Sequence, residues 1–104
     1  MSLKPLQKEV DDWVRQFTKP YFQPLSQFAR LAEELGEVAR VLNYLHGDKK
    51  PKATEDYSDL EEELGDVLFT LICLANSQNI DLDQSWQKVM DKCHNRDNNR
   101  YEKK

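Results

Sequence analysis

Glu33-Glu34-Leu35-Gly36-Glu37-Val38 recurs almost unchanged as Glu62-Glu63-Leu64-Gly65-Asp66-Val67, with every matched position offset by 29 residues (33 to 62). Each copy lies in a run of helix-forming residues with apolar side chains at three- and four-residue steps. Acids three apart are neighbours on a helix surface, so Glu34 and Glu37 form one carboxylate pair and Glu63 and Asp66 another. Two such helices packed side by side would bring four carboxylates to one spot. Four like charges need a counter-charge there. For ligands that are all oxygen, the fitting ion is a hard divalent cation, Mg²⁺ with Mn²⁺ as its substitute.

Carboxylates at helical spacing ordinarily form a solvated face. Three features favour a site instead. Glu34 and Glu63 border apolar seams, where an unpaired charge is costly to desolvate. The two copies agree in sequence and in helical phase, as a two-sided site requires. Gly36 and Gly65 sit inside both helices at a cost of about 1 kcal/mol each relative to Ala, which predicts close approach of another group. The ligand types also separate the metals. Zinc prefers His or Cys, and di-iron bundles use Glu-x-x-His. Here both such positions are acidic, Glu37 and Asp66, while His46 and His94 lie outside the motifs.

Four helices are predicted to position these acids. The first runs from about Leu3 to Thr18, with Leu6, Val10, Trp13, Val14 and Phe17 inward, and Lys19-Pro20 closes it. Trp13 and Phe17 are expected in the core. After an aromatic connector, Pro24 opens the second helix. Its seam is Phe28, Leu31, Leu35, Val38, Leu42 and Leu45, and Gly47 suits a left-handed position after its end. Asp48 to about Tyr57 reads as a polar loop. Ser58-Asp59-Leu60-Glu61 reads as a capping box opening a third helix with the stripe Leu60, Leu64, Val67, Leu71 and Leu74. That helix also carries Leu68, Phe69 and Ile72 on its other side, so it must be covered all round. Asp81 caps a fourth helix, with Leu82, Trp86, Val89, Met90 and Cys93 buried. From about residue 94 the chain turns basic and is expected to fray. The fold class is all-α: a four-helix, bundle-like single domain over residues 1–104. Because so small a bundle cannot cover the third helix alone, it is expected to assemble as a dimer or tetramer.

Composition narrows the partners. At 104 residues the chain has room for one core. Charged residues make up 33% and apolar ones 38%, with three Gly and four Pro, a balance that favours helices. A net charge of −4 argues against binding a nucleic-acid polymer, whose phosphates want a basic surface. Cys73 and Cys93 have no framework spacing and read as reduced core residues of a cytoplasmic protein. Met1–Glu9 lacks the apolar region of a signal peptide. The run Val67–Ala75 is too short to cross a bilayer.

The pattern Glu-Glu-x-x-Glu, a spacer, then Glu-x-x-Asp resembles the signature of the MazG-like all-α nucleoside triphosphate pyrophosphohydrolases. That group also includes the dimeric dUTPases, the small dCTP pyrophosphatases and the phosphoribosyl-ATP pyrophosphohydrolases. The resemblance spans about Val10 to Tyr101. It implies hydrolysis of a (d)NTP to the monophosphate and pyrophosphate, with Mg²⁺, in a homodimer or homotetramer, and a role in the removal of non-standard nucleotides. By the same likeness Glu34, Glu37, Glu63 and Asp66 are the metal ligands, and Glu33 and Glu34 the catalytic acids. Glu33 stays open between orienting a neighbour, assisting water activation and no role. Such chemistry is within reach of these residues: water must attack the α-phosphorus, and Mg²⁺ can offset the charge that develops.

A triphosphate also needs cations. Lys92, Arg96 and Arg100 are spaced to share one helical face. Lys92 and Arg96 resemble the family's Lys-Phe-x-x-Arg stretch, with Cys93 replacing the aromatic residue; the alternative is a basic helix end that complements the dipole. Tyr21 and Phe22, in the connector, are the candidates to face a nucleobase. Two other readings stand beside the enzyme: a non-catalytic helical dimerisation or regulatory module that retains the motif, and a di-metal carboxylate oxidase.

Overall fold

The computed structural model describes residues 2–53 and 59–104. Among them are four α-helices and no strand: α1 (Lys4–Val14), α2 (Pro24–His46), α3 (Leu60–Ser77) and α4 (Leu82–Asn95). The all-α reading holds.

α1 is shorter than its apolar pattern suggests. It ends at Val14 in a tight turn, with the Phe17 N–H donating to the Val14 carbonyl at 3.1 Å. The early exit lets the chain fold back, so that the Tyr21 hydroxyl donates to Asp11 Oδ1 at 2.6 Å. α2 begins at Pro24 and ends at His46. Gly47 is not left-handed as predicted but extended, at φ −101° and ψ −164°. Its need for glycine is one of space: a Cβ would collide with the Asn43 side-chain oxygen and lie 2.8 Å from the Asn43 carbonyl oxygen.

α3 is capped by Asp59, whose side chain accepts the Glu62 N–H at 2.8 Å. The predicted box opened instead on Ser58, which lies outside the described residues, as does the end of the predicted polar loop. At the far end Asn79 takes the left-handed conformation (φ 56°). The Ile80 N–H then reaches the Ala75 carbonyl at 2.9 Å and the Asn79 N–H reaches Asn76 at 3.1 Å. That crossed pair is the Schellman arrangement, which satisfies carbonyls that a helix end would otherwise strand. Asp81 caps α4 by accepting the Asp83 N–H at 2.9 Å, as predicted.

α3 is the central element and packs against α2 on one side and α1 on the other. Val10, Val14, Ile72 and Cys73 form the core between α1 and α3, with Tyr21, Phe69 and Leu82 against it. A polar brace locks α1 to the turn between α3 and α4. Gln7 donates to Asn76 Oδ1 at 2.9 Å and to the Ile80 carbonyl at 2.8 Å, and it accepts the Leu82 N–H at 3.0 Å. Asn76 donates in turn to the Gln7 carbonyl and to the Tyr21 hydroxyl, at 3.0 and 3.1 Å. Asp83 closes the joint by accepting the Leu3 N–H at 2.7 Å.

The predicted seams require correction. The face that α2 buries is Gln27, Val41 and Tyr44, whereas Phe28, Leu35, Leu42 and Leu45 are exposed. On α3 the buried residues are Glu63, Thr70, Ile72, Cys73 and Ala75, while Leu64, Leu68 and Leu71 face outward. Trp13 and Phe17, expected in the core, are 54% and 49% exposed. α4 buries nothing fully: Trp86 is 62% exposed, and Val89 and Cys93 are exposed as well. Gly36 and Gly65 approach nothing, since a Cβ at either would find open space within 4 Å. The physical reason is common to all of these. The chain carries more apolar surface than its own helices cover. Its radius of gyration of 17.3 Å exceeds the roughly 13 Å of a compact domain of this length.

Candidate active site

The packing of α2 on α3 does bring the repeated acids together. Carboxylate oxygens of Glu34, Glu63 and Asp66 lie within 4.8 Å of one another. Glu63 is 5% exposed, and among the described residues its carboxylate has neither hydrogen bond nor ion pair. A buried carboxylate without a partner is costly. Burial first, and then repulsion from Asp66, push the Glu34 pKa above its usual value, with smaller contributions from Glu63 and Glu37 and opposition from Arg30. All-oxygen donors, converging and short of positive charge, fit a hard divalent cation.

Glu37 stands apart from this trio. Its carboxylate pairs with Arg40 at 3.8 Å on the exposed side of α2, although it is near enough to repel Glu34. The structure therefore joins three of the four acids that the repeat singles out. Glu33 is exposed one residue away.

α4 ends at Asn95, so of the predicted basic trio only Lys92 lies on it; Arg96 caps its end and Arg100 lies beyond. Among the described residues no ion pair joins Lys92, Arg96 or Arg100 to the acids. Arg96 instead grips Asp97 through Nε at 3.1 Å and Nη2 at 3.2 Å. Arg100 joins the same carboxylate at 3.8 Å and lies over the Tyr101 ring. The Tyr21 hydroxyl is committed to Asp11 and Asn76. Burial and the adjacent Asp11 push its pKa up to about 12.

Two residues beside the acids were missed in the sequence. Arg30 precedes Glu34 by one helical turn, holds its pKa down, and lies over the rings of Phe22 and Phe69 at 5.8 and 6.0 Å. It is a cation at the site, and its i, i+4 spacing to Glu34 was the available signal. Gln27 is a further turn back. Both line a cleft of about 310 Å³ walled by Trp13, Phe17, Phe22 and Phe69. Trp13 meets Phe17 and Phe69 edge to face, at 5.1 and 6.0 Å between centroids.

Comparisons with known proteins show the family and the fold. Residues 22–101 match the MazG nucleotide pyrophosphohydrolase domain, a span that includes both acidic helices. A Bacillus subtilis (strain 168) protein called uncharacterized protein YpjD is 50% identical over 103 residues, covering 99% of this chain and 93% of the relative. The crystal structure of B. subtilis YPJD, described there as a candidate pyrophosphatase, superposes with a TM-score of 0.78 at 52% identity, over 88% of this chain and 94% of the other. That of a Bacillus-conserved MazG protein, described as a nucleotide pyrophosphohydrolase, superposes with a TM-score of 0.79 at 47% identity, over 92% and 93%.

Proposed function

The chain belongs to the MazG nucleotide pyrophosphohydrolase family and is a hydrolase of nucleotide pyrophosphate bonds, and from this premise we propose that it converts a (d)NTP to the (d)NMP and pyrophosphate with Mg²⁺. The observation that carries the reading is the convergence of Glu34, Glu63 and Asp66 within 4.8 Å. In this reading those three acids hold the cation, Glu37 completes the set by leaving Arg40, and Mn²⁺ substitutes for Mg²⁺. When bound, the cation offsets the negative charge that grows on the phosphate oxygens and on the attacking water.

The chain's own residues do the rest. Glu34, whose proton is held more tightly than an ordinary carboxyl's, is the acid we assign to proton exchange during catalysis. Glu33 orients a neighbour from its exposed position. Arg30 meets the phosphates first, because it already stands beside the acids. Arg96 and Arg100 serve the triphosphate only by exchanging Asp97 for phosphate oxygens, and Lys92 joins them from the last turn of α4. Phe22 offers its ring to the base and Tyr21 holds the connector that carries it. All 104 residues form one domain, two or four copies assemble, and the enzyme works in the cytoplasm to remove non-standard nucleotides. No helix among the described residues is long and apolar enough to cross a membrane.

The test is a panel of standard and modified (d)NTPs with Mg²⁺, Mn²⁺ or chelator, scoring pyrophosphate against orthophosphate. We expect pyrophosphate as the first product and none with chelator. Orthophosphate as the first product would move the chemistry to the γ-position and defeat the proposal.

A further inference from the structure

Gln27 is only 3% exposed, yet among the described residues its side-chain amide makes no hydrogen bond. A buried amide left in that condition is expensive. Its polar atoms are nevertheless not sealed away from solvent, and the residue lines the aromatic cleft. Gln27 thus lines the cleft with an amide that none of the described residues engages. Around it stand Trp13, Phe17, Phe22 and Phe69, whose flat faces suit a planar ring.

The cleft is also joined to the acids. Gln27, Arg30 or Leu31, and Glu34 follow one another along one face of α2. From Gln27 to Glu34 is seven residues, about 10 Å along the axis. A nucleoside has the length to span this distance, with its base at Gln27 and its phosphates at Arg30 and Glu34. We infer that the cleft is a nucleobase subsite and that the Gln27 amide reads the base's hydrogen-bonding edge. A primary amide presents one donor and one acceptor side by side. Its complement is a base edge with an adjacent acceptor and donor, such as the N3–H and O4 of a uracil or the N6 and N1 of an adenine. An abasic sugar triphosphate lacks that edge, and Gln27 is then left unpaired as it is now.

This inference rests on the nucleotide reading above, and its test separates the two. Q27L keeps the volume and removes the hydrogen bonds; Q27E keeps the acceptor and removes the donor. Each variant is compared with the wild type on the (d)NTP panel and on inorganic tripolyphosphate. Loss of a paired amide should lower kcat/KM for the preferred nucleotide about ten- to hundredfold, mainly through KM. It should flatten or shift the preference among bases and leave tripolyphosphate cleavage unchanged. A parallel titration follows the quenching of tryptophan fluorescence by nucleosides without phosphate or metal, so the result does not depend on turnover. Nucleosides should quench the wild type and not Q27L. If Q27L keeps both the wild-type base preference and the quenching, the inference is wrong. It is equally wrong if the substitution changes only the oligomeric state, because the amide then serves a second copy of the chain. Failure of the wild type to turn over any nucleotide would defeat the enzyme reading, while the quenching arm would still decide this one.

Discussion

At the scale of single residues, the acids of the site work against the fold. Glu34 and Glu63 occupy positions where the packing of α2 on α3 would accept an apolar residue, and like charges surround them. The raised pKa of Glu34 gives this cost a sign. A carboxyl that binds its proton more tightly folded than unfolded lowers stability as pH rises from below its ordinary value of 4.5 through the raised value. E34Q should therefore unfold at higher denaturant than the wild type at pH 7 without metal, and the gap should close as the pH falls below the carboxylate range. Added Mg²⁺ should stabilise the wild type and leave E34Q nearly unmoved, since a ligand that binds only the folded state stabilises it by mass action. Equal stability of the two proteins across that range, with and without Mg²⁺, would show that the charge is not strained. The acids were legible in the sequence because the repeat and its helical phase marked them. Gln27 and Arg30 were not. Arg30 offered only its i, i+4 spacing to Glu34 and Gln27 no pattern at all, and it is the packing that sets both against the same cleft.

At the scale of elements, the helix ends were easier to read than the faces. Asp81 announced its cap because a short acidic side chain before a helical run has few other uses, whereas α3 is capped by Asp59, one residue after the Ser58 that the predicted box opened on. The α1 terminus was misplaced because its apolar spacing continues past Val14, whereas the tether from Tyr21 to Asp11 that pulls the chain back is a contact across ten residues. Asn79 supplies the test at this scale. It holds the left-handed position of the α3 end, where asparagine is tolerated and a β-branched residue is not. N79V should cost about 1–2 kcal/mol in denaturant unfolding, whereas N79G should be neutral or slightly stabilising. An unchanged midpoint for N79V would mean that the turn is not held as described.

At the scale of the whole molecule, the apolar seam of α2 was a correct signal with the wrong partner. Phe28, Leu35, Leu42 and Leu45 repeat with helical regularity, but they are exposed, as are Leu64, Leu68 and Leu71 of α3. Large contiguous apolar patches are rare on monomers and mark interaction faces. Covering a leucine is worth about 1.5–3 kcal/mol, so a second copy laid across this face would gain substantially. We expect sedimentation at micromolar concentration to report a dimer or tetramer, and the pair of changes L35K and L42K to dissociate it. A monomeric wild type would leave the patch without an explanation. The acids matter most directly of all. Glu63→Gln preserves the shape of the most deeply buried member of the cluster while removing its charge. With Mg²⁺ and the best nucleotide of the panel, pyrophosphate release should fall at least about a hundredfold with the helical circular dichroism intact. Wild-type turnover in that variant would contradict the assignment of this cluster as the catalytic metal site.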